Sequence, residues 1–508
     1  MSRSESIPLV ARAHGHGERI ALIDDRGALR YDELLAQSAC AASRLLEQRS
    51  DLQGARVAFL TAPGRDYVVA QWGIFRAGGI AVPLCTSHPP PELEYVIDDA
   101  GAEIVVADAA FMPAVTEIAA RRGLRLLASA ELLAGAGRPL PEVAPERGAT
   151  LLYTSGTTGK PKGVLSTHAI LAAQIGSVVQ AWEWSASDHV LHVLPLHHLH
   201  GILNLLCCSL WSGATCEFLP RFDAERVWSR IEQQRALTLF MAVPTIYAKL
   251  AQTYEQAPAE RRARMSAGCR RLRLMVSGSA ALPVAMLERW REISGHTLLE
   301  RYGMTEFGMG LGSPLHGERR PGHVGVPFPG VEVRLVDDRG ARVADGEPGA
   351  IEVKSEGVFQ EYWRRPDATR GAFTPDGWFR TGDVGVCEGG CYRILGRESV
   401  DILKSGGFKI SALEIEEVLR EHPAIAECAV VGVADEIWGQ RVAAAVVLVP
   451  GTQLSLEALR GWSKQRVAPY KVPTLLHVLH GLPRNPMGKV SKPELAALFA
   501  DSSTIDRS

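Results

Sequence analysis

Short apolar runs and amphipathic stretches alternate through the first half of the chain. Residues 54–60 (GARVAFL) form an apolar run after a polar stretch, and residues 66–76 carry apolar side chains at helical spacing. Residues 80–84 (IAVPL) and 104–107 (IVVA) are again strand-like. An apolar run without alternation suits a strand buried on both faces, and a helix between two such strands is the crossover a parallel sheet requires. The expected fold is therefore α/β with a largely parallel, buried sheet. From about Val331 the period changes to two. Residues 331–336 (VEVRLV) alternate, Asp338-Arg339-Gly340 turns, and residues 351–354 (IEVK) follow in the same style. An antiparallel, barrel-like section is expected there. A smaller unit begins around Gly396-Arg397. Ser411-Ala412-Leu413-Glu414 has the spacing of a capping box, Ile415, Val418 and Leu419 continue one helical face, and Pro423 stops it before a strand at 428–433.

With 508 residues the chain exceeds what one hydrophobic core supports, so at least two domains are expected. The net charge of −2 gives no reason to expect nucleic acid or an anionic membrane as partner. No stretch is long and apolar enough to span a bilayer. Residues 1–12 lack the apolar core of a secretory signal, although Arg3, Arg12 and several serines are features of a transit segment. The nine cysteines are scattered. Cys207 and Cys208 sit in an apolar run as small hydrophobes, and Cys387 and Cys391 flank a turn without two further zinc ligands nearby. Reduced thiols in a cytoplasmic protein are expected.

The densest chemical signal is Tyr153-Thr154-Ser155-Gly156-Thr157-Thr158-Gly159-Lys160-Pro161-Lys162-Gly163, directly after Leu151-Leu152. Three glycines let the backbone turn its N–H groups onto an anion, and the hydroxyls and two lysines add donors and positive charge. The spacing of the common GxxxxGK[ST] phosphate loop is absent.

This segment closely resembles the phosphate-binding signature of the adenylate-forming superfamily of acyl-CoA synthetases, luciferases and peptide-synthetase adenylation domains. The resemblance covers nearly the whole chain, from about Ala21 to Leu498, with five motifs in order. It implies a large N-terminal domain of two α/β sheet layers plus a distorted β-barrel (residues 1–396), a hinge (397–404) and a small mobile C-terminal α+β domain (405–508). It also implies ATP, Mg²⁺ and CoA as substrates and cofactor, in a monomer or dimer. Thr154 to Lys160 would then hold phosphates. In Glu300-Arg301-Tyr302-Gly303-Met304-Thr305-Glu306, Tyr302 would stack on adenine, Thr305 would bond the α-phosphate and Glu306 would hold Mg²⁺, which typically takes one or two carboxylates. Asp383 would bond the ribose hydroxyls, with Arg397 at ribose or phosphate. The pivot falls on Ser399, Val400 or Asp401, because the run after Gly396-Arg397 is one residue longer than the family pattern. Gly406 and Gly407 would line the thiol tunnel. Lys489, after Pro483-Arg484-Asn485-Pro486-Met487-Gly488, would be the catalytic lysine of adenylation.

The acyl pocket is expected from residues 195–201 (PLHHLHG), Ser277-Gly278-Ser279 and the neighbourhood of Arg301. His200 occupies the place of an acyl-pocket gate. Residues 194–216 and 300–325 look specifically like malonyl-CoA synthetases. A small dicarboxylate needs its second carboxylate paired, and Arg301 could clamp it, with His200 and Ser279 adding hydrogen bonds. A structural ion pair of Arg301 with Glu300 or another acid is the competing reading. Malonate and methylmalonate stay unseparated, with acetate or propionate as other acids and carrier-protein loading as another class of activity. No aspartate near residues 198–200 offers to hold an amino group.

Overall fold

The unbroken apolar runs become central parallel strands. Arg56–Leu60 lies between Ile80–Pro83 and Ile104–Ala107, with Ala58 opposite Val82 on one side and Val105 on the other. Every residue of the two flanking strands is buried. Helix Arg65–Arg76 is the crossover between the first two strands, packed so closely on helix Tyr31–Leu46 that a Cβ on Gly73 would come within 2.6 Å of the Ala41 side chain. In this computed structural model residues 6–135, 137–154, 160–405, 408–436, 438–484, 490–501 and 506–507 are described. They form two compact units: Met1–Glu332 with Val353–Phe379, and Val333–Glu352 with Arg380–Ser508.

The first unit holds two sheets. The seven-stranded sheet runs Glu361–Tyr362, Lys162–Thr167, Gly148–Thr154, Ile80–Pro83, Arg56–Leu60, Ile104–Ala107, Arg125–Ala128. Gly148–Thr154 and Lys162–Thr167 pair antiparallel, with Thr154 opposite Lys162, so the phosphate-loop motif joins two strand ends. In the nine-stranded sheet Thr215–Phe218, His189–His192, Leu239–Ala242, Leu274–Ser277 and Leu299–Met304 are parallel neighbours. His192, Ser277 and Met304 end their strands on the carboxyl side, where parallel sheets bind ligands. Trp228, Tyr247 and Trp290 fill the core beneath; the two tryptophans stack at 5.8 Å.

The second unit holds most of a four-stranded sheet ordered Glu332–Val336, Gly349–Lys354, Phe379–Glu388, Cys391–Arg397, the last pair antiparallel. The hairpin Ile402–Ser405 with Phe408–Ser411 follows. The final sheet pairs Ile425–Asp435 antiparallel with Gly439–Leu448, and the latter parallel with Leu475–Val478. Ser411 caps helix Ala412–Leu419 through its hydroxyl, which accepts from the Glu414 amide. The Glu414 carboxylate reaches Lys471 Nζ at 2.7 Å, because a charged partner outweighs an amide. Among the described residues no helix is long and apolar enough to cross a membrane.

Candidate active site

The first unit gathers the expected acyl residues. Ser277 ends a strand fully buried, with no hydrogen-bond partner for its hydroxyl among the described residues. The chain then passes Gly278 and turns at Ser279, which holds a left-handed φ of 69°, an uncommon conformation for a residue with a Cβ. That turn aims the Ser279 hydroxyl inward. Arg301 Nη2 donates to Ser279 Oγ at 3.1 Å, and the same oxygen lies 3.2 Å from His200 Nδ1. Gly278 makes room: a Cβ there would stand 2.5 Å from Arg301 Nε.

Arg301 is 7% exposed and has no carboxylate partner among the described residues. The competing ion-pair reading therefore finds no support there. Its Nε also lacks a hydrogen-bond partner among those residues. Burial pulls the guanidinium down to about 9, so it stays charged at neutral pH in a place that penalises charge. Burial, reinforced by the Arg301 charge, holds His200 well below its usual range and therefore neutral. The result is a buried, charged guanidinium and a buried, neutral imidazole that share the hydroxyl of Ser279, a residue that is itself exposed.

His200 also opens a π-helical turn, His200–Cys207. Such turns are rare and recur at functional sites. This one brings in two residues that the motifs did not mark. Asn204 is fully buried; its amide nitrogen meets Met309 sulfur at 3.4 Å and its Oδ1 has no partner among the described residues. His192 lies with its Nε2 3.0 Å from the Gly201 carbonyl and with Nδ1 unpartnered among the same residues. An asparagine inside an apolar run (GILNLL) was the available signal.

The segment expected to meet adenine and magnesium lies on and just after strand Leu299–Met304, which pairs back on Gly308–Gly312. A Cβ on Gly303 would fall 2.2 Å from the Gly308 carbonyl, so only glycine permits this close return. Tyr302 packs at 5.8 Å against Phe307 and its hydroxyl reaches Met304 sulfur at 3.9 Å. Glu300 is buried, its amide donating to Ser313 Oγ. Thr305 is half-buried in the turn. Glu306 is buried, and its Oε1 accepts from Tyr362 OH at 2.9 Å. A single buried carboxylate with a second oxygen suits a cation that draws its other ligands from phosphates and water. No group of three or more His, Cys, Asp or Glu converges on a metal position among the described residues. Thr154 Oγ1 lies 3.5 Å from the Lys162 carbonyl, and the Lys160 and Lys162 ammonium groups ride 5.2 Å over the rings of Tyr95 and Tyr362. Ser155, Gly156, Thr157, Thr158 and Gly159 lie outside the described residues.

The second unit carries the pair expected at the ribose. Asp383 and Arg397 face each other across adjacent strands, with Arg397 Nε 3.0 Å from Asp383 Oδ1. The pair expected to act on one nucleotide is thus assembled by strand register. Of the three pivot candidates Asp401 is the anchored one. It accepts from the Arg397 amide at 3.0 Å and lies 2.6 Å from Lys492 Nζ, which is itself 2.7 Å from Glu416. Gly406, Gly407 and Lys489 lie outside the described residues. On either side of the Lys489 segment, Arg484 and Val490 form an antiparallel bridge.

Comparison with known proteins gives the family. The chain matches the AMP-binding enzyme model over residues 9–363 and the AMP-binding enzyme C-terminal domain over residues 414–489. It is 46% identical to the mitochondrial malonate–CoA ligase ACSF3 of Mus musculus, over 96% of this chain and 90% of that protein. Among solved structures it is similar to ATP-bound MatB from Rhodopseudomonas palustris, with a TM-score of 0.89 and 33% identity over 98% of this chain and 99% of that one. O-succinylbenzoate coenzyme A synthetase from Bacillus subtilis, in complex with ATP and magnesium ion, gives a TM-score of 0.83 and 30% identity over 96% and 98%. Ordered motifs and family matches over residues 9–363 and 414–489 have one reading: the chain belongs to the AMP-binding enzyme family.

Proposed function

We propose that this protein is an ATP-dependent, AMP-forming ligase that joins a small dicarboxylate, malonate or methylmalonate, to CoA. In the first half-reaction a carboxylate oxygen of the acid attacks the α-phosphorus of ATP, and pyrophosphate leaves. In the second, the CoA sulfur attacks the acyl carbon of the mixed anhydride, and AMP leaves. Enzymes of this chemistry act mainly by positioning and by neutralising charge.

Tyr302 stacks on adenine, Asp383 takes the ribose hydroxyls, and Thr305 with Lys489 meets the α-phosphate and the attacking carboxylate. Thr154 to Lys160 receives the outgoing phosphates. Glu306 would hold Mg²⁺, which when bound offsets phosphate charge. Residues 397–404 serve as the hinge between the two half-reactions, after which Gly406 and Gly407 admit the thiol. The observation that carries the choice of acid is Arg301, a buried guanidinium with no carboxylate partner among the described residues, bonded to a serine that also meets His200. A second carboxylate would supply the missing counter-charge and occupy the unpartnered Nε. The relative from mouse is named a malonate–CoA ligase, which supports the same acid. That relative's name also places it in mitochondria; for this protein we propose the cytoplasm, reading its nine scattered cysteines as reduced thiols.

The test is AMP release with MgATP and CoA across malonate, methylmalonate, succinate, acetate and propionate. Preference for malonate or methylmalonate is expected. Preference for a monocarboxylate would leave the ligase chemistry standing and remove the dicarboxylate reading.

A further inference from the structure

One buried ammonium in the second unit has no role in the reaction above. Lys492 opens the helix Lys492–Asp501, and its side chain is 11% exposed. Its Nζ lies 2.6 Å from Asp401 Oδ1 and 2.7 Å from Glu416 Oε1. Burial works against the charge, but Glu416 and Asp401 prevail and Lys492 is raised above its ordinary value. One cation thus separates two carboxylates that water screens poorly.

The two arms of this ammonium end differently. Glu416, on helix Ala412–Leu419, also accepts from the Val430 amide at 2.9 Å and lies 3.2 Å from Arg420 Nη2. That arm ties helix to sheet. The other arm leads to Arg397. Asp401 Oδ2 accepts from the Arg397 amide at 3.0 Å, and the Asp401 amide donates to the Arg397 carbonyl at 2.8 Å. The Asp401 carbonyl accepts from the Ala412 amide at 2.7 Å. Gly396 lets the aspartate come this near: at its φ of 128° a Cβ would stand 2.4 Å from that of Asp401. Asp401 therefore grips both peptide groups of Arg397, whose Nε reaches Asp383 Oδ1 at 3.0 Å. Lys492, Asp401, Arg397 and Asp383 form one line of polar contacts, from the first turn of the last long helix to the pair expected at the ribose.

We propose that Lys492 is a positioning residue for nucleotide recognition: through Asp401 it fixes Arg397, so that Arg397 and Asp383 together read the ribose hydroxyls. This role rests on the ribose lying at that pair, as proposed above. Without the ammonium, Asp401 and Glu416 are left as two carboxylates sharing one desolvated place. Asp401, the more exposed of the two, turns toward water and releases the Arg397 amide. The guanidinium then loses its fixed place against Asp383, and the orientation that ribose recognition requires is gone. A nucleotide lacking a ribose hydroxyl is then penalised little, because the site no longer makes the bond that this nucleotide lacks.

Nucleoside monophosphate release by the full-length protein is measured at varied ATP and varied 2′-deoxy-ATP, with Mg²⁺, CoA and whichever acid of the panel above is turned over fastest. The readout is the ratio of the two kcat/KM values. A hydrogen bond to a charged group is worth about tenfold to a hundredfold, and the unaltered protein is expected to prefer ATP by that much. In Lys492→Met the preference is expected to fall below about threefold, and in Lys492→Arg, which keeps the charge, to return. Asp401→Ala is expected to match Lys492→Met, and the double variant to lose no more than either alone. Should Lys492→Met not fold, Asp401→Ala carries the same test. Glu416→Gln cuts only the other arm, so it is expected to lower the melting temperature and keep the preference. A preference retained in both Lys492→Met and Asp401→Ala, or one lost equally in Glu416→Gln, would show that the ammonium only stabilises the unit and would overturn its positioning role. Equal use of the two nucleotides by the unaltered protein would instead remove the ribose from Asp383, and the role of Lys492 with it.

Discussion

Replacing Arg301 by alanine tests the acyl pocket most directly. The guanidinium is buried, donates to Ser279, and has no carboxylate partner among the described residues. In the mutant, the second carboxylate of malonate would enter the same desolvated place without its counter-charge. Breaking one side of a buried ion pair costs about 3–5 kcal/mol. At about 1.4 kcal/mol per tenfold, kcat/KM for malonate should fall from roughly a hundredfold to several thousandfold. Acetate has no second carboxylate, so its kcat/KM should change by less than about threefold. KM for ATP should also hold, since Tyr302 and Glu306 keep their own partners. AMP release measured at varied acid and varied ATP separates these quantities. Equal losses for malonate and acetate, or a parallel loss of ATP affinity, would show that Arg301 supports the fold rather than the acid. Arg301→Met supplies a second readout. It removes an uncompensated buried charge at similar length, so the ligand-free protein should gain about 1–4 kcal/mol and its melting temperature should rise while malonate turnover is lost.

The other predictions follow the same geometry. Gly278→Ala puts a methyl 2.5 Å from Arg301 Nε; KM for malonate should rise at least tenfold with KM for ATP unchanged, measured by the same assay. Lys492→Met leaves Asp401 and Glu416 facing each other without their shared ammonium. Denaturant unfolding should show a loss of about 3 kcal/mol, near the lower end for a buried pair because Arg420 also contacts Glu416. Asp188, although burial raises it, is held below the usual carboxylate range by Arg273 and neighbouring donors. A depressed carboxyl contributes stability that is present above the unfolded value of about 3.9 and is lost as pH falls through the folded one. Asp188→Asn should therefore lower stability at pH 7 and flatten its acid dependence below pH 4, read by thermal melts across pH.

How much was legible from sequence differs by element. The runs at 80–83 and 104–107 announced buried strands because no polar residue interrupts them, and helix Arg65–Arg76 showed its periodicity plainly. Ser411 was readable as a cap, but the partner of Glu414 was not, since Lys471 is distant in sequence and near only in the fold. The nucleotide motifs could be named from local pattern because phosphate and ribose recognition uses contiguous backbone and fixed residue types. His192 and Asn204 escaped as individual residues, because His192 lies just before the resembling run and Asn204 is one polar position within it, and what marks them is polar atoms left unpartnered among the described residues by burial.

The sequence by itself determined the α/β character and the order of the motifs, and it named the residues proposed to meet ATP, because these depend on short-range period and chemistry. Only the tertiary structure decided that Arg301 lacks a carboxylate partner among the described residues and that Ser279 turns to meet both it and His200. The reason is physical. Charge balance depends on distances between side chains far apart in the chain, and burial sets its strength, so it does not exist until the strands and turns have packed.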